Sequence, residues 1–340
     1  MIKHLLLSLS LLLPNSLFAE DILQQKEADL LAGTHQAICY SGYRKGQHPD
    51  RGDGAKNPSD AEILEDLKIL SHKNTFPLIR LYDSGENSQA VLRLIKEHKI
   101  SLKVMLGAWL DAEISNPGCP WTPEPYSEAK LKAGKVKNAQ EVASAIKLAK
   151  AYPEIIVSVA VGNECLVSWN DHMVPVDSVI AYVKKVKRSI KQPVTVADNY
   201  DWWAKHGAKL AAELDFVSVH IYPVWEEKGI DEGISFGTEN MEAVRKALPK
   251  SKLVITEAGW ATTASEFGER AGEKQQQRYY QELMAWTKQR NITTFFFEAF
   301  DESWKGDPNN PAGAEKHWGI FTEERQPKFV MKSLYGHLVK

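Results

Sequence analysis

Two glutamates stand where a carboxylate can do chemistry. Glu257 follows a short apolar run in Leu253-Val-Ile-Thr-Glu-Ala-Gly-Trp260, and Glu164 ends the β-branched run Ile155-Ile-Val-Ser-Val-Ala-Val-Gly-Asn-Glu164. Each run reads as a buried strand that delivers its carboxylate into a turn. If the strands belong to one parallel barrel, both glutamates emerge at the same end, and one can hold a proton while the other stays charged. Other polar and aromatic residues recur at strand ends: Tyr40, Arg80 and Tyr82, Trp109, Asn163, Asn199, His220 and Tyr222, Trp260, and the segment from Glu298 to Trp304. A rim of carboxylates, amides and flat aromatic rings suits a sugar, whose faces stack on indoles and whose hydroxyls need partners.

The elements that must position these residues alternate along the chain. Strands are predicted at residues 36–43, 77–82, 102–110, 155–164, 193–198, 216–222, 253–256 and 292–297. Helices are predicted at 59–71 with Ser59 as N-cap, then at 88–98, 138–151, 176–190, 202–213, 241–247 and 274–290, with a closing helix at 328–338. Eight strand–helix units without a break in composition predict a single-domain α/β fold, a (β/α)8 TIM barrel. The insertion at 116–135, with Trp121 and Tyr126, is the segment best placed to block one end of a cleft.

Composition narrows the partners. The 340 residues carry a formal net charge of −2, which provides no general field for nucleic acid or an anionic membrane. Lys3 and His4, the apolar stretch 5–13 and Ala19 have the order of a cleavable export signal, so residues 1–19 are expected to be removed and 20–340 to form the catalytic domain. The product is expected to be periplasmic or secreted, a monomer with no membrane anchor. The three cysteines, Cys39, Cys119 and Cys165, are expected to be buried thiols, although an exported chain can pair two of them. No CxxC or HExxH pattern occurs, so neither a metal nor another cofactor is expected. Arg51-Gly-Asp53 reads as a coincidental tripeptide, and Gly52 and Gly54 fall short of a dinucleotide fingerprint.

Ordered motifs make the chain resemble glycoside hydrolase family 17, the β-1,3-glucanase and glucanosyltransferase family, as a bacterial member. They are Cys39-Tyr40-Ser-Gly42, Ile79-Arg-Leu-Tyr-Asp83, Val161-Gly-Asn-Glu164, Ile221-Tyr-Pro223, Thr256-Glu-Ala-Gly-Trp260, Phe300-Asp-Glu-Ser-Trp-Lys305 and His317-Trp-Gly-Ile-Phe321. The resemblance implies a retaining mechanism on a β-glucan, with Glu164 as general acid/base and Glu257 as nucleophile. It further implies that Arg80 and Tyr222 stabilise Glu257, and that Asn163 bonds a sugar hydroxyl. Tyr40, Trp260 and Trp304 would be sugar platforms. Glu298, Glu302 and Lys305 would bond hydroxyls or brace the catalytic pair, unless they form only a salt-bridge cluster. Plant members carry a small apolar residue where Glu298 stands. The chain looks nearer to the fungal and bacterial branches, some of which transfer glucan chains, so transfer is the alternative to hydrolysis.

Overall fold

The computed structural model describes residues 22–50, 52, 54–122 and 124–339. The expected export signal, and Arg51 and Asp53 of the tripeptide, lie outside the described residues. Eight parallel strands, β1 (Gln36–Cys39), β2 (Leu78–Arg80), β3 (Lys103–Ala108), β4 (Ile156–Asn163), β5 (Val194–Asn199), β6 (Val217–Ile221), β7 (Leu253–Gly259) and β8 (Thr294–Phe297), pair in sequence order. β8 pairs with β1, with Ala37 opposite Phe295, and closes the barrel. Val, Ile and Phe dominate these strands because both faces are covered, one by the barrel interior and one by helices.

The helices follow their capping chemistry. α1 (Asp60–Ser71) starts at Ser59, whose hydroxyl accepts from Glu62 N while the Glu62 carboxylate accepts from Ser59 N, a reciprocal cap. α2 (Glu86–Glu97) buries Val91, Leu92, Leu94 and Ile95. α3 (Glu128–Ala151) begins ten residues before the predicted start at 138, because Ser127 caps it and the Lys- and Ala-rich first turns favour helix. Residues 128–135 of the expected blocking insertion are therefore helix. α4 (Val176–Lys187) matches expectation, but the predicted 202–213 helix divides at Gly207 into α5 (Tyr200–His206) and α6 (Ala208–Ala211).

α7 (Ile230–Ala247) starts eleven residues before the predicted 241, where Gly233 and Gly237 weaken the helical signal. Gly233 packs closely: a Cβ there would lie 3.1 Å from the Trp260 ring and 3.2 Å from Tyr279 of α8 (Glu273–Gln289), tighter than ordinary contact. Gly233-Ile-Ser-Phe-Gly237 has the spacing of a nucleophile elbow, yet it lies inside α7 rather than at a strand–helix turn.

The predicted closing helix is absent. Residues 328–338 form turns ending in a short 3-10 turn, Gly336–Leu338, and are anchored by buried Tyr335, whose hydroxyl donates to the Ile69 carbonyl at 3.0 Å. A second anchor lies at Asp66 of α1. Arg325 contacts both of its oxygens at 2.8 and 2.7 Å, Arg44 approaches at 3.0 Å, and Tyr40 donates at 3.2 Å. Removing one partner from such a buried pair leaves an uncompensated charge, so Arg325→Ala is expected to destabilise the barrel by about 3 kcal/mol in urea unfolding. Cys39, Cys119 and Cys165 are buried free thiols. Among the described residues no helix is long and apolar enough to cross a membrane.

Candidate active site

β2, β4, β6 and β7 converge at their C-terminal ends. Three of the strand pairings break register there, between Ala160 and Asn163, Val219 and His220, and Ile255 and Ala258. Such irregularities bend a strand and re-aim its side chains, and here they fall beside Glu164, His220 and Glu257.

Glu257 sits within β7 rather than in the turn after it, and it is buried. Its Oε1 accepts from Arg80 Nη1 at 2.7 Å and from the Tyr82 hydroxyl at 3.0 Å, and its Oε2 accepts from the Tyr222 hydroxyl at 2.7 Å. Burial opposes its charge, but His220, Arg80 and the two tyrosine hydroxyls outweigh that and hold its carboxyl below the usual range. Arg80 is itself buried. It donates to the Thr256 carbonyl at 3.1 Å and to Asn163 Oδ1, and its guanidinium covers the Tyr82 ring at 4.5 Å. This cage keeps a carboxylate ionised and fixed.

Glu164 follows β4 in a left-handed turn, with φ +89° at Gly162 and +47° at Glu164. For a long side chain that conformation is strained by about 1–2 kcal/mol and persists where its surroundings enforce it. Glu164 N donates to the Ala197 carbonyl at 2.8 Å, and its side chain remains partly exposed toward the barrel mouth. His220 links the two glutamates. Its Nε2 lies 3.2 Å from Arg80 Nη1. Nδ1 lies 2.9 Å from Glu164 Oε1 and 3.5 Å from Glu257 Oε2. One ligand atom each from Glu164, His220 and Glu257 lies within 4.8 Å of the others. That spacing could hold a cation, but Arg80 already supplies positive charge at Glu257.

The outer residues divide. Lys305 Nζ bridges Glu298 at 2.5 Å and Glu302 at 2.8 Å, and lies over the Phe297 ring at 4.7 Å. Glu302 also accepts from Ser41 Oγ at 2.6 Å and Tyr43 N at 3.0 Å, which ties the loop after β8 to the loop after β1. Glu298 is buried, and burial pushes its carboxyl up despite Lys305. Trp304 is half-buried with its ring edge-on to Tyr43.

Two expected platforms are corrected. Trp260 is fully buried, with its indole N–H donating to the Arg270 carbonyl at 2.8 Å and its ring against Tyr279. Tyr40 is buried with its hydroxyl on Asp66, facing α1. Neither ring can stack on a sugar.

Three residues without an assigned role complete the site. His220 and Tyr82 share strands with anticipated residues, each two positions from one of them. Glu315, in the 3-10 turn Ala314–Lys316, is the third, and no strand pattern marks it. Burial, with the charges of Glu164 and Glu257 and against that of Lys305, raises its carboxyl to about 7. It therefore shares an electrostatic environment with the pair.

The chain is similar in sequence and fold to proteins named as glucan-processing enzymes. The chain is 28% identical over 303 residues to a glucan 1,3-beta-glucosidase of Arthroderma benhamiae, covering 81% of this chain and 87% of that protein. It is 26% identical over 297 residues to a putative glucan endo-1,3-beta-glucosidase of Aspergillus niger, and there it spans only 40% of the relative's length. An endo-laminarinase from Formosa superposes with a TM-score of 0.77 at 26% identity, covering 92% of this chain and 89% of that one. A family 17 β-1,3-glucanosyltransferase from Rhizomucor miehei shares the fold, with a TM-score of 0.66 at 22% identity over 90% of this chain and 97% of that one. Residues 37–319 match the BtgE/BtgC glycoside hydrolase domain, and with family 17 enzymes as its relatives in sequence and fold, the chain belongs to that glycoside hydrolase family.

Proposed function

We propose that the chain hydrolyses β-1,3-glucan with retention of configuration, using Glu257 as nucleophile and Glu164 as acid/base. The separation of the two carboxylates carries this reading. One oxygen of each lies within 4.8 Å of the other, which favours the roughly 5–5.5 Å spacing of a double-displacement pair over the roughly 6.5–9.5 Å of an inverting one. The names of its relatives support the choice of glucan.

In the first step Glu257 attacks C1 as the glycosidic C–O bond breaks, and Glu164 gives its proton to the departing oxygen. The product is a glycosyl ester on Glu257 and a free chain end. In the second step Glu164 takes a proton from water, whose oxygen attacks C1 and releases Glu257. Arg80, Tyr82 and Tyr222 hold the nucleophile through both steps, and Asn163, kept by Arg80, is placed to meet a sugar hydroxyl. Trp304 is the remaining expected platform. The reading includes action as a monomer. The order of residues 1–19 supports export to the periplasm or beyond.

Digestion of laminarin followed by NMR in the first minutes tests the reading. New reducing ends should appear as the β anomer before mutarotation. Initial α ends, or intact laminarin beside cleavage of another β-glucan, would refute it. Products longer than a supplied laminari-oligosaccharide would replace hydrolysis by glucanosyl transfer.

A further inference from the structure

The loop that leaves Glu164 folds back onto it. His172 Nε2 lies 2.9 Å from the Asn163 carbonyl, and Asn170 Nδ2 donates to the Glu164 carbonyl at 2.8 Å. Those carbonyls belong to the two peptide planes on either side of the Glu164 Cα. Both planes are thus gripped by side chains across the one residue of the site held at φ +47°. A left-handed glutamate relaxes unless its neighbours over-determine it, and here the neighbours are ten residues or fewer along the same loop.

His172 is fixed in turn. Its Nδ1 lies 3.1 Å from Asp171 Oδ1, and its ring packs on Trp109 with centroids 4.4 Å apart. Each ring nitrogen thus faces an oxygen. The bond to His172 holds the Asp171 carboxyl below its usual range. The loop itself is pinned by buried Asn116, whose Nδ2 donates to the Ser168 and Asn170 carbonyls at 2.7 and 2.6 Å. The contacts of His172 are to backbone, Asp171 and Trp109, and none is to a carboxylate of the reacting pair.

We propose that His172, assisted by Asn170, is a positioning residue for the proton-donating carboxyl of Glu164, fixing the turn from which that carboxyl reaches the leaving oxygen. This rests on Glu164 being the acid/base, and it separates proton donation from nucleophilic attack. A sugar leaving group needs the proton, whereas a dinitrophenolate departs without it.

His172→Phe is therefore compared with the parent enzyme by kcat/KM on a laminari-oligosaccharide and on dinitrophenyl β-laminaribioside. The expected result is a loss of about tenfold or more on the oligosaccharide and less than about threefold on the aryl glycoside, below the ~10²–10⁴ that general acid catalysis supplies in full. His172→Gln, whose amide N–H can still donate to the Asn163 carbonyl, should recover most of the loss. Asp171→Asn, at a half-exposed position, should show the same substrate split more weakly, and it serves as the test if His172→Phe does not fold. Equal losses on both substrates, no loss on either, or a glutamine variant no better than phenylalanine would overturn the proposal. A parent enzyme inactive on the oligosaccharide would instead overturn the functional reading.

Discussion

Glu257→Ala is expected to lower kcat on glucan by on the order of 10⁴-fold or more, above about 5 kcal/mol of transition-state stabilisation. The loss is large because no other carboxylate can form the glycosyl ester. Glu164 is held by His220 Nδ1 at 2.9 Å, and Glu298 is engaged by Lys305 at 2.5 Å. The variant should still fold, since Arg80 keeps the Thr256 carbonyl and Asn163 as acceptors after Glu257 is gone. Added azide decides the roles. With the nucleophile removed, azide occupies its space and attacks an activated β-glycoside directly, giving an α-glycosyl azide. With Glu164→Ala, the ester on Glu257 still forms, and azide displaces it to give the β-glycosyl azide. A β product from Glu257→Ala would reverse the assignment, which NMR of the products reads directly.

The barrel was legible because its signal repeats: eight short apolar runs, the first seven each followed by helix, leave little else to build. That Glu164 and Glu257 come together was legible because each stands near the C-terminal end of such a run. The misplaced platforms have a simple cause. Side chains alternate along a strand, and Trp260, the first residue past β7, lies three positions from Glu257 and packs against Tyr279 of α8. Tyr40 lies one position from Cys39, whose thiol donates to the Thr256 carbonyl inside the barrel, so the tyrosine faces α1. Counting by two from Arg80 reaches Tyr82, and counting by two from Tyr222 reaches His220, both of which touch the pair. The register breaks were not visible, because a bulge changes pairing and leaves composition unaltered. Glu315 and the 165–174 loop carry no period at all, and only tertiary folding brings them to the site. The start of α7 was hidden for a related reason, since the glycine that weakens its helical pattern is the one that admits Trp260.

Arg80→Met should raise the acid limb of kcat/KM and destabilise the fold by about 3 kcal/mol, within the range for breaking a buried pair. The sign follows from Glu257. Burial alone would push its carboxyl up, and His220 and Arg80 bring it below the usual range. Without the guanidinium, burial meets less opposition, so Glu257 becomes protonated at higher pH and the ionised nucleophile is lost earlier on acidification. A carboxyl depressed in the folded state stabilises above its unfolded value and stops doing so as pH falls through its folded value. The stability gap between parent and Arg80→Met should therefore be widest near neutrality and narrow in acid, as urea midpoints across pH can show. Arg80→Lys separates charge from geometry. An ammonium retains the attraction, but a single Nζ cannot meet Glu257 and Asn163 together, as the two guanidinium nitrogens do. The acid limb should then return most of the way to that of the parent while kcat stays low, because Asn163 would be free to leave the sugar. If the lysine variant recovered both, the role of Arg80 would be its charge alone.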